Sequence, residues 1–571
     1  EVGVALYDCT KDYYDFAGWY DNAEFNGEAV KLHTKGITKY YARWTPTEYG
    51  VTFHLNEGTT AATLPEKYTI ESEDIALPTA SEMVKEGFSF LGWFDNEAGT
   101  GDAYTKIATG SHGDLDLYAI WQSNVAEEKE LSDAEVAIFN ANNITKYVFA
   151  DASVCNYLFK GVGLAAKYET EVSNSCIYTT LADAINHAVE GDVIYVFAGT
   201  YTESAQIKVN VPNLTILGPN AGKAGNAIDR VEEAIILDIR FSISTDGLSG
   251  DGLVYDGVKF TGTSCIVAAT ANVNGLEIKN CVLAAKGRNL YSNSEVVYLW
   301  NYTLTNFNFE YNYFSGEAAC VRPIRFEGKL KDSRFANNEF ASDNNLYDMI
   351  RVDTVQGSFV FENNDVHAYT SAWFINVWKA CGGAKFVIKD NKINGIDLSN
   401  YGGVQFTAAT SDTSITFLGN EFNSLSSPVI KVSASTNAPV VDIEYNKFES
   451  NANFCIIAAG TNVNYANNYS AVEITNDATA TYSVTNEKDY TTVEELDAAY
   501  AIFNAEYNRT ATVTFDSDGG NAVDPITFKD PTTVVLPTPV KEGYEFDGWY
   551  NGDVKVTALT EKADVALKAK W

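Results

Sequence analysis

The sequence predicts a mainly all-β chain in which a central solenoid of stacked short-strand coils is flanked by small β-rich modules, with short helices at the joins. Three observations carry this reading. The decapeptide "KEGFSFLGWF", Lys85–Phe94, returns as "KEGYEFDGWY", Lys541–Tyr550. An Asn-x-apolar element recurs at a nearly constant interval through the middle of the chain. Between them, the stretch Tyr178–Gly222 reads as an amphipathic helix, a Gly-Asp turn and a series of short strands.

Composition bounds the function classes. At 571 residues the chain is long enough for roughly three to five domains. Its 46% hydrophobic content supplies packed cores and argues against disorder. Seventy-six acidic against 40 basic residues give a formal charge of -36, which repels phosphates and anionic head groups and makes nucleic acid a poor partner. No apolar run approaches the length of a membrane span, and no signal-like segment precedes the first module. The chain therefore reads as a mature product or a fragment. Eight cysteines form no Cys-x-x-Cys pair and five histidines are scattered, so neither a metal nor a cofactor is expected. Buried free thiols are the simpler reading of the cysteines, although Cys155 and Cys176 are near enough in sequence to bridge.

The first element to justify is the flanking module. One copy fills 46–123 and another 510–571. A third, within 1–45, holds "YYDFAGWYDN" and "KYYARW" but lacks an opening strand. Each alternates apolar and polar residues, as in Val51, Phe53, Leu55, the pattern of a half-buried strand. So small a module buries little surface, and the paired tryptophans Trp93/Trp121 and Trp549/Trp571 are expected to fill its core. Gly92 and Gly548 are expected to permit a bulge or a close strand approach. "DSDGGN", Asp516–Asn521, resembles the start of a calcium loop but lacks the later ligands, and reads as a turn in which Gly519 and Gly520 take positive φ.

The Gly-[Tyr/Phe]-x-Phe-x-Gly-Trp-[Tyr/Phe] core with its closing Trp resembles the B repeat, or Listeria-Bacteroides repeat, of internalin-type bacterial surface proteins. That resemblance covers about 180 residues. It implies compact β-grasp-like domains used as spacers or adhesive modules on an extracellular, cell-surface protein.

Two helical patches join these modules to the centre. "LSDAEVAIFNANN", in 124–175, begins with Ser132 and Glu135 at capping-box spacing, and "TTVEELDAAYAIFNAEYN", in 485–509, offers Thr491 or Thr492 as a cap. Both contain "AIFNA", so they read as equivalent linkers.

The centre, 176–484, opens on "YTTLADAINHAVEGDVIYVFAGTYTESAQIKVNVPNLTILGPNAG", which resembles the start of right-handed parallel β-helix proteins of the pectate lyase-like class, the helix acting as a cap. Asn280, Asn312, Asn338, Asn364, Asn391, Asn420 and Asn446 each precede an x-apolar pair, and the last five intervals are 26, 26, 27, 29 and 26 residues. A period of this size is one solenoid coil. Asn tolerates a left-handed bend, and stacked amides can bond from coil to coil.

The period fixes a register. Ile324/Phe326, Ile350/Val352, Ile375/Val377, Val404/Phe406 and Ile430/Val432 point inward, which leaves Arg325, Arg351, Asn376, Gln405 and Lys431 outward, with Glu327, Asp353, Trp378, Thr407 and Ser433 beside them. Stacked Arg325 and Arg351 repel by about 3 kcal/mol at an effective dielectric of 20, and Glu327 and Asp353 offset this. The candidate ligand face is Arg325, Arg351, Asp353, Asn376, Trp378, Gln405 and Lys431, suited to a surface glycan or a protein segment. The same row also reads as a charge ladder of little net worth. Two functions compete: a secreted scaffold or adhesin whose β-helix presents a binding face on repeat spacers, and a polysaccharide lyase or hydrolase carried on the same spacers. No second acid clusters in the column, which favours the first and assigns no catalytic residue. The open first repeat points to further chain upstream or to a strand added by a neighbour, and head-to-tail growth into a fibre or surface layer is compatible with it.

Overall fold

A computed structural model describes residues 3–150, 155–268, 271–285, 288–289, 294–315, 323–341, 348–367, 373–379, 381–394, 403–423, 430–434, 439–449, 455–459, 462–471, 475–476, 489–529 and 531–571. The chain forms two compact units, Glu1–His187 with Val193–Gly199, and Ala188–Asp192 with Thr200–Trp571. Ser433, counted above as outward-facing, has no described side chain.

In the first unit, the complete repeat is a four-stranded sheet. Tyr49–His54 lies parallel to Leu115–Ser123, which pairs antiparallel with Phe88–Phe94, and Lys67–Tyr68 flanks the first strand. Trp93 is 1% exposed at the centre of a core with Tyr68, Met83, Ile107 and Leu117, and Trp121 packs against it. Each indole also donates: Trp93 Nε1 to Pro78 O at 2.9 Å and Trp121 Nε1 to Leu55 O at 2.9 Å. The tryptophans are therefore core groups with a satisfied polar edge, as expected of a module this small. Gly92 has φ 145°, and the ladder shifts register opposite it, between Ile120 and Trp121. A bulge of this kind needs a residue without Cβ. The N-terminal repeat is a two-stranded sheet, Tyr14–Tyr20 with Tyr41–Pro46, carrying the same shift at Gly18.

The rest of the unit is a mixed cap. Helix α1, Asp133–Ala141, starts at Ser132 with the reciprocal Ser132–Glu135 capping box. Its Phe139 is fully buried among Tyr147, Phe159, Tyr168 and Tyr195. Helix α2, Leu181–Asn186, is capped by Thr180 and buries Leu181, Ala184 and Ile185. Strand Lys146–Val148 pairs in parallel with Ile177–Tyr178 and Val193–Val196. Cys155 and Cys176 are not bridged to each other.

The second unit is the parallel β-helix. Three columns of short parallel strands face a common core. The first includes Ile324–Phe326, Ile350–Val352, Ile375–Val377, Val404–Ala409 and Ile430–Ala434, in the register Ile324↔Ile350↔Ile375↔Val404↔Ile430. The inward residues read from the period are buried to 2% exposure or less. In two coils the strand does not break at the corner: Ile324–Ala336 and Ile350–Glu362 each run 13 residues, longer than the short strands expected. Pairing continues through that corner, where Lys329–Lys331 follow Thr303–Thr305 and Thr354–Gln356 follow them.

The asparagine column is continuous from Asn312 to Asn468. Asn391 is typical: its Oδ1 accepts from Asn364 N (2.9 Å) and Asn364 Nδ2 (3.0 Å), while its Nδ2 donates to Phe361 O (2.8 Å) and Asn420 Oδ1 (2.9 Å). These amides are 0–2% exposed and each finds partners above and below, so burial costs little. Two details differ from the sequence reading. The left-handed residue is the one before the ladder Asn, as at Tyr311, Asn337, Asn363, Asp390 and Tyr445. Asn280 is such a residue, with φ 54°, and Cys281 occupies the ladder position, receiving Asn312 Oδ1 on its N–H at 3.0 Å. Burial pushes the Cys281 thiol up to about 12, so it stays a neutral donor, to Lys279 O at 3.1 Å.

Helix α3, Val493–Asn508, lies along this turn column rather than within a core. Tyr500 OH bonds Asp390, Lys389 Nζ bonds Asn504 Oδ1 at 3.0 Å, and Phe503 stacks on Tyr445 at 4.7 Å. At Gly419, φ is +63° and a Cβ would stand 2.2 Å from the Tyr500 ring, so both backbone and helix require glycine there. The two "AIFNA" helices are thus not equivalent: Ile138 of α1 is buried, whereas Ile502 of α3 is 76% exposed. The C-terminal repeat follows, with Ala511–Asp516 parallel to Val565–Lys570 and the latter antiparallel to Gly548–Asn551. In its "DSDGGN" turn, Asp518 and Gly519 take positive φ and Gly520 does not; a Cβ at Gly520 would stand 2.5 Å from Trp571, so that glycine makes room for the indole.

Candidate binding face on the solenoid

Alternation along the first strand column places Arg325, Arg351, Asn376, Gln405 and Lys431 in one row, each paired with the next. Asp353 and Trp378 follow two residues after Arg351 and Asn376, on the same side of the sheet. All seven predicted residues are therefore brought together. Their exposure is not uniform, however. Arg325, Asp353, Asn376 and Gln405 are buried at 4–7%, Arg351 and Lys431 are half-buried, and Trp378 is 47% exposed. An outward row in a solenoid is flanked by its own copies one coil away and by the segment that approaches the strand, so outward does not mean solvated.

The approaching segment brings groups that alternation does not reveal. Glu295, fully buried, accepts from Arg325 Nη1 at 2.8 Å, and Glu327 pairs with Arg325 Nη2. Glu327 also accepts from Tyr298 OH at 2.7 Å. Asp348, 2% exposed, accepts from Asn376 Nδ2 at 3.1 Å and from Trp373 N at 3.3 Å. Glu295, Asp348 and Trp373 each stand three residues before the row, a spacing present in the sequence but outside the strand alternation.

Charge is balanced locally. Arg351 Nε contacts Asp353 Oδ1 at 3.3 Å, and Lys379 Nζ contacts Asp353 Oδ2 at 2.7 Å. The Arg351 guanidinium lies 4.8 Å from the Trp378 ring centroid, and Lys431 Nζ lies 5.8 Å from the Trp373 ring. The arginine stack thus persists because carboxylates and aromatic faces receive each cation. Among the described residues, no group of three or more His, Cys, Asp or Glu is placed to hold a metal ion. What the arrangement offers chemically is a held aromatic face beside polar groups already in register.

Comparison with known proteins bears on the flanks. Residues 2–41, 49–120 and 512–570 match the Listeria-Bacteroides repeat domain. The chain is similar to a putative Gly-rich membrane protein of Evansella cellulosilytica, 36% identical over 118 residues, which is 20% of this chain and 13% of that protein. A putative membrane protein of the same organism is 33% identical over 117 residues, 20% of this chain and 17% of its own length. Internalin H of Listeria monocytogenes is 33% identical over 123 residues, 20% of each chain. The chain spans a fifth or less of the length of these relatives. No solved structure matches it.

Proposed function

We propose that this chain is part of an extracellular, cell-surface scaffold or adhesin in which the β-helix presents a ligand-binding face and the Listeria-Bacteroides repeats act as spacer modules. The repeats and the names of the relatives support the surface setting. Among the described helices, none is long and apolar enough to cross a membrane.

One observation carries the binding role: Trp378 leaves 47% of its surface to solvent while its ring is backed by Arg351, which is itself tied to Asp353. A ring fixed in this way loses little side-chain entropy when a ligand stacks on it. The neighbouring carboxylates Glu327 and Asp353 are engaged in ion pairs, which favours binding over proton transfer as the use of this face.

The test is a glycan array and a cell-binding assay with wild type and the Arg351→Ala, Trp378→Ala double variant. Truncating a partly buried aromatic contact costs about 1–3 kcal/mol, so Trp378→Ala is expected to weaken binding about tenfold or more. Equal signals from wild type and double variant would remove this face from consideration and direct attention to the repeats.

A further inference from the structure

A second exposed tryptophan shares the column of Trp378. Leu299 pairs with Phe326, Phe326 with Val352, and Val352 with Val377. The residues that follow them, Trp300, Glu327, Asp353 and Trp378, therefore occupy one position in four successive coils. The end members are exposed residues, Trp300 at 37% and Trp378 at 47%. Coils about 4.8 Å apart put the two residues about 14 Å apart along the solenoid axis.

Between the rings the two carboxylates of the column are ion-paired. Glu327 is held by Arg325 and Tyr298, and Asp353 by Arg351 and Lys379. Such pairs offer hydrogen-bonding atoms to a ligand without attracting a polyion, while the chain's net charge of -36 opposes polyanions at longer range.

We infer, building on the reading of this face as a ligand-binding one, that its ligand is an extended neutral polysaccharide strand lying along the solenoid axis, with one sugar face on Trp300 and another on Trp378. The geometry selects a linear ligand because the two rings lie in one column rather than around a pocket. A pyranose chain suits it because its sugar-to-sugar repeat is close to the coil spacing. Sugars several units apart on one strand then meet both rings, while the intervening hydroxyls face the ion-paired residues. A disaccharide reaches only one ring.

The experiment is calorimetric titration of the full chain with cellohexaose, laminarihexaose and chitohexaose, each beside its disaccharide, and with polygalacturonate. At least one hexaose is expected to bind roughly tenfold or more tightly than its disaccharide, the gain that follows when the second contact becomes intramolecular. Trp300→Ala and Trp378→Ala should each abolish that length advantage and leave the circular dichroism unchanged, since both rings stand outside the core. If Trp378→Ala removes binding and Trp300→Ala does not, the single-platform reading survives and the two-ring inference falls. Preference for polygalacturonate would overturn the neutral class, and no binding to any of these probes would overturn the polysaccharide inference, while the ligand-binding reading of the face falls only on equal signals from wild type and the double variant in the array and cell-binding assays.

Discussion

Replacing Asn391 by Ala in the middle of the asparagine column should destabilise the solenoid far more than the size of the side chain suggests. The substitution removes four hydrogen bonds of 2.8–3.0 Å. Asn364 N–H and Phe361 O lose these partners at a site where Asn391 is 1% exposed. With about 1 kcal/mol for each of the two bonds whose other partner stays bonded elsewhere and about 1–3 kcal/mol for each of the two buried groups left unpaired, the loss comes to about 4–8 kcal/mol. A water occupying the vacated space would bring the figure toward the lower bound. Because coils in a solenoid contact only their neighbours, the damage should be local, which makes amide hydrogen exchange the decisive assay. Protection of the Asn364 amide should fall by about three orders of magnitude or more, with the midpoint of urea unfolding shifted down. As a control, Asn551→Ala, at the exposed end of a hairpin strand in the C-terminal repeat, should change stability by no more than about 0.5 kcal/mol. Wild-type exchange at Asn364 in the Asn391→Ala protein, or a loss no larger than the control, would show that the ladder follows from the coil rather than supporting it.

Three further outcomes are expected. Ile350→Asp, which puts an unpaired carboxylate at a fully buried position of the first strand column, should abolish cooperative unfolding of the central coils as followed by far-ultraviolet circular dichroism; a native-like melt would contradict the core assignment. The purified chain should release no unsaturated, ultraviolet-absorbing product from polygalacturonate or alginate, with or without calcium; product that disappears in Arg351→Ala would restore the lyase alternative. In the complete repeat of the first unit, Lys106 and Thr109 hold the Asp74 carboxyl down to about 2. A carboxyl lowered on folding stabilises the folded state above its ordinary value and loses that contribution as pH falls toward 2. The melting temperature of Asp74→Asn should therefore fall below wild type at pH 6 and approach it near pH 2, and a constant difference across that range would refute the assignment.

What the sequence by itself determined about this protein is whatever depends on local periodicity. The repeated Gly-Trp core, the solenoid period, the inward pairs from Ile324/Phe326 to Ile430/Val432 and the Ser132–Glu135 cap were all legible, because a period of two or a fixed spacing directly states which side of a strand or end of a helix a residue occupies. The seven-residue face was legible for the same reason. Its burial was not, since Glu295 and Asp348 arrive from segments outside the strand, where alternation has no meaning, and only the stacking of coils brings them to Arg325 and Asn376. The ladder shows the same division. Regular intervals located Asn312 through Asn446, but Asn468 falls after a shorter coil and Cys281 takes an asparagine's place through a thiol, so both become visible only when backbone hydrogen bonds define the column. The identical "AIFNA" segments in α1 and α3 make the point most directly. The same side chains give one helix a buried face and the other an exposed Ile502, because a helix's sequence specifies the faces it has, while the surface available nearby decides which of them is covered.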